Sequence, residues 1–292
     1  MNRIVATLAV FGVVALTPAI RVSAQLSNKE APVVISHYHL NVTSVEAHKK
    51  FWVDTLGGTA EKFGSDKVDV VRYPDGLVFL HERKPTGPSR GTAFDHIGFS
   101  VPDVPALTTK VVANGYQLTT GREPAPGQAA TAATGTAAPY GRFSYILGPD
   151  GAKVELVTNE DKSGPPIKHH HMHFINKQYV EMQQWYMKAF DATLRPGQTD
   201  FFIGADLPGV GYSLNFFRWE GDQSVTHVPT KGRVYDRVGL DVKNLEEFCR
   251  KLEGKGLKPT EPYHRIRGLN NIGAASLVDP WGVSIELTEG LR

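Results

Sequence analysis

A single cysteine, Cys249, stands in the 292 residues, so the chain forms no internal disulfide. It lies beside Phe248 and Leu252 on an apolar helical stripe and reads as a buried core thiol rather than a nucleophile. An excess of charge is also missing: 32 Lys and Arg face 30 Asp and Glu. Residues 1–24 carry Arg3 and Arg21 and no acid, so the remainder holds 30 of each sign. A chain so balanced has no basic footprint for nucleic acid or an anionic membrane. With 41% hydrophobic and 21% charged residues, the composition is that of a globular protein with a sizeable core.

The start of the chain is a separate object. A positive MNR precedes 17 apolar residues, and the small residues Val22 and Ala24 then sit where a signal-peptide cleavage site needs them. The run is short for a membrane anchor and is broken by Pro18. The expectation is a signal peptide over 1–24, a linker over 25–32, no membrane attachment after cleavage, and a periplasmic or secreted location.

The rest is written four times. His37 and His39 lie over His171 and His173 at an offset of 134, and Phe51-Trp52 lies over Trp185-Tyr186 without a gap. The following stripes, Val45, Trp52, Leu56 and Tyr179, Met182, Tyr186, Phe190, have helical spacing. Thr43 with Glu46 suggests a capping box for the first. Residues 94–118 match 235–259 at an offset of 141, each a strand and a short helix ended by Gly115 or Gly256. Pro/Gly/Asp turns before alternating runs follow every helix. The repeat is a strand, a helix and about three strands. NEDKSGPP marks an interdomain break, giving domains at 33–160 and 167–292 joined by 161–166, with copies paired one with two and three with four. An Ala/Gly/Thr/Pro-rich stretch over 119–141 reads as a mobile surface loop or a lid.

Within one strand, alternation places Ile35, His37, His39 and Asn41 on one face and Ser36, Tyr38 and Leu40 on the other. His39 then lies about 7 Å beyond His37 on the same side. Taken singly, each such histidine is more often a packing residue than a ligand.

SHYHLNV, DHIGFSV and GPDGAKVEL in the first half, and HHMHF, DRVGLDV and DPWGVSIEL in the second, resemble the vicinal oxygen chelate superfamily. That group includes glyoxalase I, extradiol dioxygenases and bleomycin-binding proteins. The resemblance implies an α+β fold of four βαβββ modules in two paired-module domains, whose mixed sheets curl into cups. It implies one divalent metal (Fe, Mn, Zn or Ni) on His37, His96 and Glu155, with Leu80 where copy one would carry a carboxylate. Two imidazoles and a carboxylate leave metal positions open for a small substrate with adjacent oxygens. His39 and Tyr145 become acid–base or substrate-contact candidates. In the second half His171 and Glu286 match ligand positions, but Arg237 replaces the third; it either pairs with Glu286 or holds a substrate carboxylate. The reaction implied is a glyoxalase-like lyase or isomerase step. Extradiol ring cleavage and non-catalytic binding of a small molecule are the alternatives. A homodimer is compatible with any of them. A cupin is set aside, since a helix follows H-x-H here.

Overall fold

The computed structural model describes residues 30–121, 143–159, 166–209 and 213–291. The expected signal peptide, most of the Ala/Gly/Thr/Pro-rich stretch and most of the interdomain linker lie outside the described residues. No helix among the described residues is long and apolar enough to cross a membrane.

Module one runs β1 (Val33–Val42), α1 (Val45–Lys49), a π-helical turn (Lys50–Thr55), β2 (Thr59–Phe63), β3 (Val68–Tyr73) and β4 (Gly76–Glu82). Module two is β5 (Phe94–Val101), α2 (Val104–Ala113), β6 (Gln117–Thr119), β7 (Phe143–Leu147) and β8 (Lys153–Thr158). Module three is β9 (Lys168–Asn176), α3 (Tyr179–Phe190), β10 (Thr193–Leu194), β11 (Phe202–Asp206) and β12 (Ser213–Arg218). Module four is β13 (Tyr235–Val242), α4 (Leu245–Gly254), β14 (Glu261–Ile266), β15 (Ile272–Val278) and β16 (Ser284–Glu289).

The helices form where the apolar stripes require them. Met182, Tyr186 and Phe190 of α3 and Leu245, Phe248, Cys249 and Leu252 of α4 are buried. Gly115 and Gly256 end α2 and α4 with φ of 85° and 75°, a conformation open to glycine without strain. The cap of α1 differs from expectation. Ser44 is the N-cap, its Oγ accepting from the Ala47 N–H, while Thr43 instead donates from Oγ1 to Asp150 at 2.6 Å.

The modules pair in a nested order. One eight-stranded sheet runs β14-β15-β16-β13-β1-β4-β3-β2 and joins modules one and four; the other runs β10-β11-β12-β9-β5-β8-β7-β6 and joins modules two and three. The pairing of one with two and three with four is thereby corrected. β1 takes β13 as its antiparallel partner and β5 takes β9. Segments 83–93 and 219–234 carry the chain from one sheet to the other and back, side by side, bonded through Thr86 N–H to Gly232 O (2.8 Å) and Val228 N–H to Gly91 O (3.0 Å). Both sheets are complete within one chain.

One apolar cluster spans both sheets and the helices, with Tyr38, Leu40 and Tyr235 from the first sheet meeting Phe94, Phe99 and Phe174 from the second. Tyr38 Oη and His169 Nε2 make a buried hydrogen bond between the sheets. The opposite face of the first sheet is concave. Asp66 N–H reaches Gly268 O (3.4 Å), bringing together hairpins from the sheet's two ends, and Phe79, Leu77, Val70 and Ile272 form a second small core inside the curl.

Candidate metal centres

Four β-bulges decide which side chains enter the two curled faces. The ladder between β1 and β13 skips Ser36 and Asp236, and that between β5 and β9 skips Asp95 and His170. A bulge re-aims the residues on either side of it. Ile35 therefore joins the core with Tyr38 and Leu40 instead of sharing the face of His37, a correction to simple alternation. His169 likewise turns to Tyr38, while His171 and His173 enter a ligand cluster. Each bulged residue also lies beside its successor. Ser36 Oγ is 2.8 Å from His37 Nδ1, Asp95 Oδ2 is 2.6 Å from His96 Nδ1, and His170 Nδ1 is 2.8 Å from His171 Nδ1. These contacts fix ring orientation and leave each Nε2 for the site.

In the second sheet His96, Glu155, His171 and His173 offer donor atoms all within 4.8 Å of one another, and all four residues are buried. Nε2 of His96 is 3.0 Å and Nε2 of His171 2.9 Å from the same oxygen, Oε2 of Glu155. The His171 contact lacks the alignment of a hydrogen bond, and both ring nitrogens of His173 are buried without a partner among the described residues. Leaving buried polar atoms unmet costs about 1–3 kcal/mol each. Burial raises the Glu155 carboxyl, but His171 and His96 outweigh it and hold it well below the carboxylate range. Burial, then His96 and His171, keeps His173 well below the usual histidine value, so its ring is neutral, as a metal ligand must be. Asp95 is gripped by Lys153 Nζ at 2.5 Å, and Tyr145 stands edge-on to His96 with ring centres 5.4 Å apart.

A second cluster fills the corresponding place in the first sheet. Nε2 of His37 and Nε2 of His39 each lie 2.8 Å from Oε2 of Glu286. Arg237 adds its Nε 3.3 Å from Oε1 of the same carboxylate and its Nη2 3.5 Å from His39 Nδ1. His39 Nδ1 also shares a 2.8 Å hydrogen bond with His81 Nε2. Burial lowers the His39 pKa to about 3 despite Glu286 beside it, so near neutral pH its ring has no spare proton to give.

Two glycines permit this packing. Gly98 lies across from His171 and Gly239 across from His37, and the donor ring lies over each where a side chain would be. A Cβ at either position would sit 2.1 Å from the ring.

The separations fit a cation. Two ligands at right angles on one ion with bonds of about 2.1 Å lie about 3.0 Å apart, the spacing both imidazoles keep from Glu155. The donors are two or three imidazoles and a carboxylate, a set suited to Zn, Fe, Mn or Ni.

The expected ligand set is redistributed. His96 and Glu155 meet, but His37 belongs to the other sheet, with Glu286, so His37, His96 and Glu155 do not form one donor set. His171 and Glu286, expected to share a site, are also divided: His171 joins Glu155. Among the described residues there are two clusters where one metal was expected. His39 lies in the donor set with His37 and Glu286. Arg237 forms the first of its two expected pairings, with Glu286. The position in module one that matches Glu155 is Phe79, not Leu80, since Phe79 pairs with His39, two beyond His37, as Glu155 pairs with Gly98, two beyond His96. The tight Tyr73–Gly76 hairpin is shorter than the Leu147–Lys153 turn, which shifts the register by one. Phe79 stacks on His39 at 4.6 Å, while Leu80 lies in the main core. Asp95 and Lys153 were not singled out from sequence; His173 was, through the repeat of H-x-H.

Residues 34–156 match the model of a family described as the Glyoxalase/Bleomycin resistance protein/Dioxygenase superfamily. The fold is similar to that of glyoxalase I from Zea mays, with 18% identity, 88% of this chain and 92% of that chain covered, and a TM-score of 0.63. A mutant form of the same Zea mays protein gives 17% identity, 88% and 94% coverage and a TM-score of 0.64. A Bacillus subtilis protein described as a candidate dioxygenase gives 12% identity, 87% and 84% coverage and a TM-score of 0.61. No match to the sequence was found among curated proteins.

Proposed function

We propose that the chain, whose residues 34–156 match the model of the Glyoxalase/Bleomycin resistance protein/Dioxygenase superfamily, is a divalent-metal-dependent enzyme. Its substrate is a small molecule with adjacent oxygens, and its reaction is a lyase or isomerase step that moves a proton on carbon next to a carbonyl. The observation that carries this reading is the buried set His96, His171 and Glu155, with His173 beside it unpaired at both nitrogens.

His96, His171 and Glu155 would hold the metal. A divalent cation supplies Lewis-acid stabilisation of a developing enolate or alkoxide. The chain supplies the rest. Asp95, braced by Lys153, keeps the His96 proton on Nδ1 and its Nε2 lone pair turned inward. His173, both of whose ring nitrogens are without a partner among the described residues, stands beside the set where it can take up a proton from the substrate carbon. Tyr145, paired in register with Glu155, walls one side. The surrounding burial keeps bulk water from competing for these groups.

Extradiol ring cleavage is the second reading, favoured by the same pair of imidazoles and carboxylate, which also suits Fe(II). The test is incubation of metal-loaded protein with α-hydroxy carbonyl compounds in D2O and, separately, with catechols under air. Deuterium entering the α-carbon, lost in Glu155→Gln, supports the proton-transfer reading. Oxygen-dependent ring opening without deuterium entry replaces it with the dioxygenase. Neither reaction with any member of the two classes contradicts an enzyme and leaves a binding protein.

A further inference from the structure

The two clusters are related by the repeat but differ in one residue. Arg237 on β13 stands where His96 stands on β5. Each lies two residues before the glycine that receives a donor ring, and each is the strand partner of the second histidine of an H-x-H pair, His39 or His173. The substitution changes the charge of the site. Glu286 has two imidazoles on Oε2 and a guanidinium 3.3 Å from Oε1. The ion-pair partners of Glu155 among the described residues are two imidazoles, His96 and His171. Lys153 is held by Asp95 at 2.5 Å and Arg195 by Asp206 at 2.8 Å, so neither serves it.

A buried carboxylate needs a compensating positive charge. Arg237 provides one, its guanidinium 3.3 Å from Oε1 of Glu286. It has no lone pair to offer a metal, and it repels a dication brought to the same carboxylate. We infer that Arg237 is a built-in substitute for the cation: the cluster of His37, His39 and Glu286 excludes divalent metal, and the chain binds one metal, at His96, His171 and Glu155. The inference rests on the metal reading proposed above and adds which cluster is filled and which residue decides it.

The test uses the full chain with any purification tag removed, stripped with chelator and titrated with Co2+, with bound metal counted by elemental analysis after desalting. Wild type is expected to bind one equivalent and Arg237→His two. The double variant Glu155→Gln, Arg237→His is expected to keep one, in the converted cluster. If Arg237→His does not fold by circular dichroism, Arg237→Gln, which removes the charge at similar length, is expected to gain a second equivalent at least tenfold weaker than the first. Two equivalents in wild type, or one in both folded Arg237 variants, overturns the inference while the metal reading stands. No bound Co2+ in wild type defeats the metal reading itself.

Discussion

Gly98→Ala places a Cβ 2.1 Å from Cε1 of His171, 2.3 Å from Nδ1 and 2.6 Å from Nε2. Nonbonded carbons settle at about 3.5 Å or more, so the ring must withdraw by roughly 1.4 Å. A metal site tolerates about 0.2 Å in its ligand distances, and His171 therefore leaves the donor set. Loss of an outer partner alone costs about 10–100-fold in metal affinity; loss of the ligand is expected to reach at least about 100-fold, or about 2.7 kcal/mol. The overpacked methyl adds about 1–3 kcal/mol of destabilisation to the apo protein. Gly239→Ala is the matched control. It brings a Cβ 2.1 Å from Cε1 of His37 and 2.2 Å from Nε2, so its apo protein should melt about as early. Its metal affinity should stay that of wild type. Chelator-competition titration with Co2+ and thermal melts of the apo forms measure both. A folded Gly98→Ala protein that binds metal within about twofold of wild type would refute the reasoning.

Asp95→Asn removes the charged partner of His96 Nδ1 and leaves Lys153 buried beside a neutral group; metal affinity should fall about 10–100-fold and apo stability by about 3–5 kcal/mol. Adding Lys153→Met should recover the denaturation midpoint but not the affinity, and recovery of both would deny Asp95 an orienting role. Tyr38→Phe takes the hydroxyl from the hydrogen bond between the sheets and should cost about 1–3 kcal/mol in urea unfolding without altering metal binding; an unchanged midpoint would mean that the bond contributes nothing. Asp279 accepts from the Val283 and Trp281 N–H groups and the Tyr186 hydroxyl, yet burial raises its pKa from 3.8 to about 6. Between those values the folded state binds the proton that the unfolded state releases, so this group's stabilisation, about 3 kcal/mol, is full below pH 3.8 and lost as pH rises through 6. Asp279→Asn should therefore unfold no earlier than wild type at about pH 7.5 and progressively earlier as the pH drops from about 6 to about 4.5, and a pH-independent difference would contradict the assignment.

Much of the architecture was legible because it is written locally. The helical stripes of α3 and α4, the terminating Gly115 and Gly256 and the four-fold recurrence need no knowledge of distant contacts. What failed was long-range or register-dependent. The partner of His37 is Glu286, 249 positions away, and nothing in a linear pattern says that module four folds back on module one. The same nesting separated His37 from His96 and joined His171 to Glu155. Leu80 was named in place of Phe79 because counting from the hairpin glycine assumes equal turns, whereas Tyr73–Gly76 closes more tightly than Leu147–Lys153. Ile35 and His169 were misplaced by bulges at Ser36 and His170, which interrupt the two-residue period. Arg237 was visible as a departure from the repeat, and its pairing with Glu286 was one of two choices the sequence left open.

X-ray absorption on protein loaded with one equivalent of Co2+ tests most directly whether the second sheet holds the metal. The account predicts imidazole scattering from at least two rings, with nitrogen and oxygen neighbours at about 2.0–2.2 Å, and loss of one ring in His171→Ala but not in His37→Ala. A spectrum without imidazole, or one that changes with His37 and not with His171, would contradict it.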